Sequence, residues 1–120
     1  MAEEPTFRVT FVKSIWNRSK RYVEEWRQGV KGHGPGKSPS PEYAAFKRHV
    51  SLPFAPTVGL DVWQAGWRSG PVTELRWFAD QNCFECWVEE TYSSSDDTAD
   101  VSNYDELVAD ALAHGWGQYI

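Results

Sequence analysis

Long apolar runs are missing from this sequence. No stretch approaches the roughly 20 consecutive residues a helix needs to span a bilayer, so no membrane partner is expected. The opening residues, Met1-Ala2-Glu3-Glu4-Pro5, lack the basic and apolar stretches of a secretory signal, and export is not expected either. Cysteine is scarce: there are two, at 83 and 86. Two thiols three positions apart make no disulfide framework, which places the chain in a reducing cytoplasm. Neither a nucleophile elbow nor an HExxH zinc motif occurs, so the chain is not expected to be an enzyme.

Basic residues are also scarce, but only in one half. Beyond residue 50 the only Lys or Arg are Arg68 and Arg76, against twelve Asp and Glu, a net of −10. Residues 1 to 50 hold ten Lys/Arg against five Asp/Glu, a net of +5, so the overall −5 conceals a split. Such a split arises when the two halves face each other in one fold, or when one half meets a charged partner.

Aromatics, by contrast, are plentiful. Seven Trp, five Tyr and six Phe in 120 residues supply enough apolar area for one domain's core without metal or disulfide. The expectation is a single α+β domain spanning residues 1–120. Its small antiparallel sheet, a three-strand meander with a possible N-terminal strand, would be packed with about three helices.

Phe7, Val9 and Phe11 alternate with Arg8, Thr10 and Val12, which reads as a strand. From Ser14, the positions Ile15, Ser19, Tyr22, Val23, Trp26 and Val30 recur at helical spacing, with Gly29 or Gly32 as the stop. Residues 32–41, rich in Gly, Pro and Ser, read as a flexible loop. Ser40-Pro41-Glu42 has the chemistry of a helix start, with Tyr43, Phe46 and Val50 as the buried stripe. Pro53 and Pro56 would end that helix.

The meander is read over 58–63, Val72 to Asp80, and Cys83 to Thr91, with a turn at Gln81-Asn82. Its core face would carry Leu60, Val62, Leu75, Trp77, Phe84 and Val88. Asn103 with Glu106 has the spacing of a capping box. It opens a helix striped by Tyr104, Leu107, Val108, Ala111 and Leu112 and closed by His114 and Gly115.

Several motifs fall short of the chemistry they resemble. Gly34-Pro35-Gly36-Lys37-Ser38 ends like a phosphate-binding loop, but Lys31 stands where the first glycine is required. Cys83-Phe84-Glu85-Cys86 on a strand sends its thiols to opposite faces, so they cannot share a metal ion. Cys86 then reads as a core filler and Cys83 as a partly exposed thiol. Asp96, Asp97 and Asp100 lack the ligand spacing and glycine of a calcium loop. No metal and no cofactor are expected.

Two binding surfaces remain. Trp63, Phe78, Glu85, Trp87 and Glu89 lie on the charged side of the expected meander, where large aromatics need cover or a partner. They point to contact with another protein, one carrying a basic surface. The second surface is the stripe of Lys13, Lys20, Arg27 and Lys31 beside Trp16 on the expected first helix. It has the cations and the stacking ring of a nucleic-acid site.

From Pro41 onward the expected order of helix, three antiparallel strands and helix resembles in outline the double-stranded-RNA-binding domain. That family carries a basic cluster at the start of its last helix. The corresponding residues here are Asn103-Tyr104-Asp105-Glu106, so the resemblance is one of architecture and implies no function.

Overall fold

A computed structural model describes residues 6–29, 41–64, 67–93 and 103–119. Among these residues the fold is mostly sheet, with two helices and eight strands rather than a three-strand meander with three helices. The helices are α1 (Lys20–Gln28) and α2 (Tyr104–Ala113). The long strands are β1 (Phe7–Trp16), β2 (Tyr43–Leu52), β5 (Val72–Phe78) and β6 (Cys83–Val88). The two-residue strands are β3 (Trp63–Gln64), β4 (Trp67–Arg68), β7 (Thr91–Tyr92) and β8 (Gly117–Gln118). A mixed six-stranded sheet runs in the order β5-β6-β1-β2-β8, with β7 also on β1, while β3 and β4 form a separate hairpin.

The centre is β1. It pairs antiparallel with β2 over its whole length, from Phe7 opposite Leu52 to Trp16 opposite Tyr43. On its other side it runs parallel to β6 and then to β7. With partners on both edges, β1 is exposed only at Arg8, near its start. Val9, Phe11, Val12, Ile15 and Trp16 are accordingly buried.

Two expected helices are corrected here. The alternation of β1 continues through Ser14, Ile15 and Trp16, so the first helix begins only at Lys20. Ser19 is its N-cap, accepting from the Tyr22 amide at 3.2 Å, and Gly29 closes it at φ +72°. The helix expected after Pro41 is strand β2 instead. Its Ala-, Lys- and Arg-rich stretch has adequate helix propensity, but ten residues of ladder along the open edge of β1 outweigh a preference of tenths of a kcal/mol per residue. The resemblance to the RNA-binding architecture goes with it. The loop at 32–40, Lys31 and the Asp96–Asp100 segment lie outside the described residues.

The meander is half right. β5 and β6 pair antiparallel around a turn at 79–82, where Asn82 takes φ +52°. Residues 57–62 form no strand, because Gly59 at φ +94° turns the chain and Leu60 donates back to Thr57. Beyond Val88 the third strand is interrupted, and Thr91 and Tyr92 cross to pair with β1.

One face of the sheet packs against α2, whose Tyr104, Leu107, Val108 and Ala111 meet Val9, Phe11, Ile15, Phe46, Leu52, Val72, Cys86 and Val88. Leu60 and Val62 join this core as expected, but Trp77 at the sheet's outer edge is 49% exposed. The expected capping box does not form at Asn103, whose side chain makes no capping hydrogen bond, while Gly115 at φ +90° ends the turn after α2. On the opposite face α1 is tied down at Glu90. This carboxylate accepts from Trp16 Nε1 and from Tyr92 Oη at 3.1 Å, and it pairs with Arg27 at 3.4 Å. No helix among the described residues is long and apolar enough to cross a membrane.

Candidate functional site

Inward-pointing positions on β1 run Phe7, Val9, Phe11, Lys13, Ile15, and those on β2 run Ala44, Phe46, Arg48, Val50, Leu52. Two cations therefore enter an apolar face. Each is received by an indole: Arg48 lies 4.5 Å over Trp67, and Lys13 Nζ lies 4.7 Å over Trp116. Trp67 and Trp116 are buried, 6.0 Å apart, and Trp67 also meets Phe11 at 5.8 Å. Cation–π attraction is strongest where water is excluded, which is how the face tolerates these charges.

Above Lys13 a cleft of about 480 Å³ opens between the β3–β4 hairpin and α2, lined by Trp63, Trp67, Arg68, Asp110, His114 and Trp116. Trp63 forms its outer lip and is 67% exposed. Arg68 stacks on Trp63 at 4.5 Å and is held there by Asp61, whose Oδ2 accepts from Arg68 Nη2 at 2.5 Å and Nε at 2.9 Å. That guanidinium, with help from the Gly70 amide, holds the Asp61 carboxyl below the usual carboxylate range. The opposite lip is the last turn of α2, where His114 Nδ1 pairs with Asp110 Oδ1 at 3.2 Å. Arg48 reaches beneath it to donate to the His114 carbonyl.

Lys13 has no carboxylate within ion-pair distance among the described residues. Burial pushes its pKa down, and the field of Asp110 opposes that only in part. Replacing Lys13 with Met keeps a long chain over Trp116 and removes a desolvated charge, so Lys13→Met is expected to raise the unfolding midpoint at neutral pH. The folded-state pKa lies below the unfolded value, so the wild type recovers this cost as pH rises between the two. The advantage of Lys13→Met should therefore shrink in melts run toward the ordinary lysine value of 10.5. A gap constant with pH would refute the assignment.

The two sets of expected binding residues are redistributed. Trp63, from the first, and Lys13, from the second, meet in this cleft. Phe78, Glu85 and Trp87 alternate onto the opposite side of β5 and β6, where Trp87 Nε1 donates to Glu85 at 2.7 Å. Glu89 follows β6 and is exposed. Trp63 and Trp87 thus share no patch. The stripe expected on the first helix does not form, because Lys13 and Trp16 belong to β1 and point to opposite faces. Trp16 is buried beneath Arg27, and Lys20 stands 4.0 Å from Glu24. Trp67, Trp116 and Arg48 escaped sequence reasoning. The usable signal was a Lys and an Arg in the inward phase of apolar strands, which demand a specific receiver.

Compared with known proteins, the chain matches no protein-family model, no curated protein and no solved structure.

Proposed function

We propose that this chain is a small non-enzymatic binding domain of the reducing cytoplasm that engages another protein through a basic surface on that partner. The observation that carries the reading is Trp63, a large indole left 67% exposed at the lip of a cleft whose other two indoles, Trp67 and Trp116, are buried. Trp, with Tyr and Arg, is enriched among the residues that anchor protein interfaces. The facing lip supports a basic partner: α2 carries Asp105, Glu106 and Asp110 and no Lys or Arg, with Glu106 and Asp110 one turn apart on one side. Phe78, Glu85 and Trp87 offer a second surface on the other side, and Glu89, which lines a cavity with Lys13 and Arg68, adds a carboxylate at its edge.

The test is affinity capture with matched variants. Wild type is expected to retain a partner that Trp63→Ala loses, and Glu106→Lys with Asp110→Lys should weaken capture at least tenfold, about 1.4 kcal/mol. Charge reversal at Glu85 and Glu89 locates the second surface. Capture indifferent to all of these changes would refute the reading.

Nucleic-acid binding is the second reading, favoured by Lys13 and Arg68 beside an exposed stacking ring in one cleft. The Asp61 partner of Arg68 and the α2 carboxylates weigh against it. It requires a single-stranded oligonucleotide to bind with steep salt dependence and Lys13→Met to weaken it. Absence of binding at low salt removes it.

A further inference from the structure

Away from the cleft, on the opposite face of the sheet, three adjacent strands place a thiol, a hydroxyl and an imidazole in a row. Thr10 Oγ1 on β1 lies 2.8 Å from His49 Nδ1 on β2 and 3.6 Å from Cys83 Sγ on β6. Thr10 is nine-tenths buried, at 9% exposure. The row opens on a cavity of about 300 Å³, to which Arg8, Ser51 and Gln81 also contribute. Arg8 stands opposite Cys83 in the parallel register.

We propose that this row is a thiol-exchange site, in which Cys83 attacks a small anionic disulfide and His49 receives its proton through Thr10. A hydroxyl can accept one proton while giving up another, so Thr10 can carry the transfer between groups that need not touch. The Cys83 S–H, which donates to the Phe84 carbonyl at 3.2 Å at rest, turns to Thr10 Oγ1 and passes its proton there as the Thr10 hydroxyl passes its own to His49 Nδ1. The thiolate forms a bond to one sulfur of the disulfide, whose S–S bond breaks. The electron pair leaves on the departing thiolate, which takes a proton from the imidazolium or from water. The disulfide is itself the oxidant, and the product is a mixed disulfide at Cys83. Arg8 at the rim selects an anionic reagent. Cys86, three residues on, points into the core with no exposure, and burial pushes its thiol up to about 12, so it stays inert.

The reaction is read with two probes on the folded chain: dithiobisnitrobenzoate, which is anionic, and dithiodipyridine, which is neutral. One thiol should react rapidly, and Cys83→Ser should abolish that phase. Thr10→Val and His49→Gln should slow both probes roughly tenfold or more, as loss of a positioned base does, while Thr10→Ser keeps the wild-type rate. Arg8→Gln should slow the anionic probe alone, a selectivity that a merely structural role would not alter. Arg8 is exposed, so this arm stays readable even if Thr10→Val fails to fold. Wild-type rates in both His49→Gln and Thr10→Val, or equal slowing of both probes in Arg8→Gln, would overturn the proposal.

Discussion

Phe11→Ala is expected to destabilise the fold by about 3 to 5 kcal/mol, read as a shift in the urea midpoint at unchanged slope. Phe11 is fully buried at the middle of β1, with Cys86 beside it on β6 and Arg48 beside it on β2. Its ring is one of the surfaces that hold Trp67 in place. Removing it opens a cavity beneath Trp67 that the surrounding ladders on both edges of β1 prevent from collapsing. Small domains are stable by only about 5 to 15 kcal/mol, so the loss is a large fraction of the whole. Phe11→Leu, which keeps most of the volume, should cost far less, and equal losses for the two would mean that packing is not the cause.

Gly115→Ala is expected to cost roughly 2 to 4 kcal/mol, unusually much for adding one methyl group at an exposed position. Two effects combine. The residue sits at φ +90°, where a side chain is strained, and a Cβ there would collide with Arg48 Nη1. Arg48 cannot step aside freely, because it is stacked on Trp67 and donates to the His114 carbonyl. Gly29 provides the comparison: it has φ +72° but nothing near its absent Cβ, so Gly29→Ala should show the backbone cost alone, about 1 to 2 kcal/mol. If the collision is responsible, shortening Arg48 in the Gly115→Ala background should recover part of the difference. Equal costs at the two glycines would rule it out.

What was legible in the sequence followed from clean periodicity. The alternation at 7–12, the β5–β6 hairpin and the stripe of α2 are each dictated by residues that agree with one period only. The failures have a common origin. Lys13 and Arg48 occupy inward positions, so β1 and β2 look polar where they are in fact packed. The spacing of Tyr43, Phe46 and Val50 then reads as a helical stripe, although in β2 Tyr43 lies on the face opposite Phe46 and Val50. Ile15 likewise falls in phase with both Phe11 before it and Ser19 after it. The receivers that make these charges acceptable, Trp67 and Trp116, come from distant parts of the chain, and local reading cannot pair them. The cleft was invisible for the same reason. Its two nominees, Lys13 and Trp63, appeared in competing readings because nothing in their neighbourhoods shows that they meet.

The order in which the sheet is assembled has a consequence during synthesis. β1 emerges from the ribosome first, yet its parallel neighbours β6 and β7 are among the last strands made. Until residue 92 is free, the emerging chain can offer that apolar strand only its β2 hairpin partner, with one hydrogen-bonding edge still open. Such late, non-local closure is slow and leaves a nascent chain open to aggregation. Chains truncated before β6 should therefore bind chaperones and fail to fold on release from the ribosome, whereas the 120-residue chain should not.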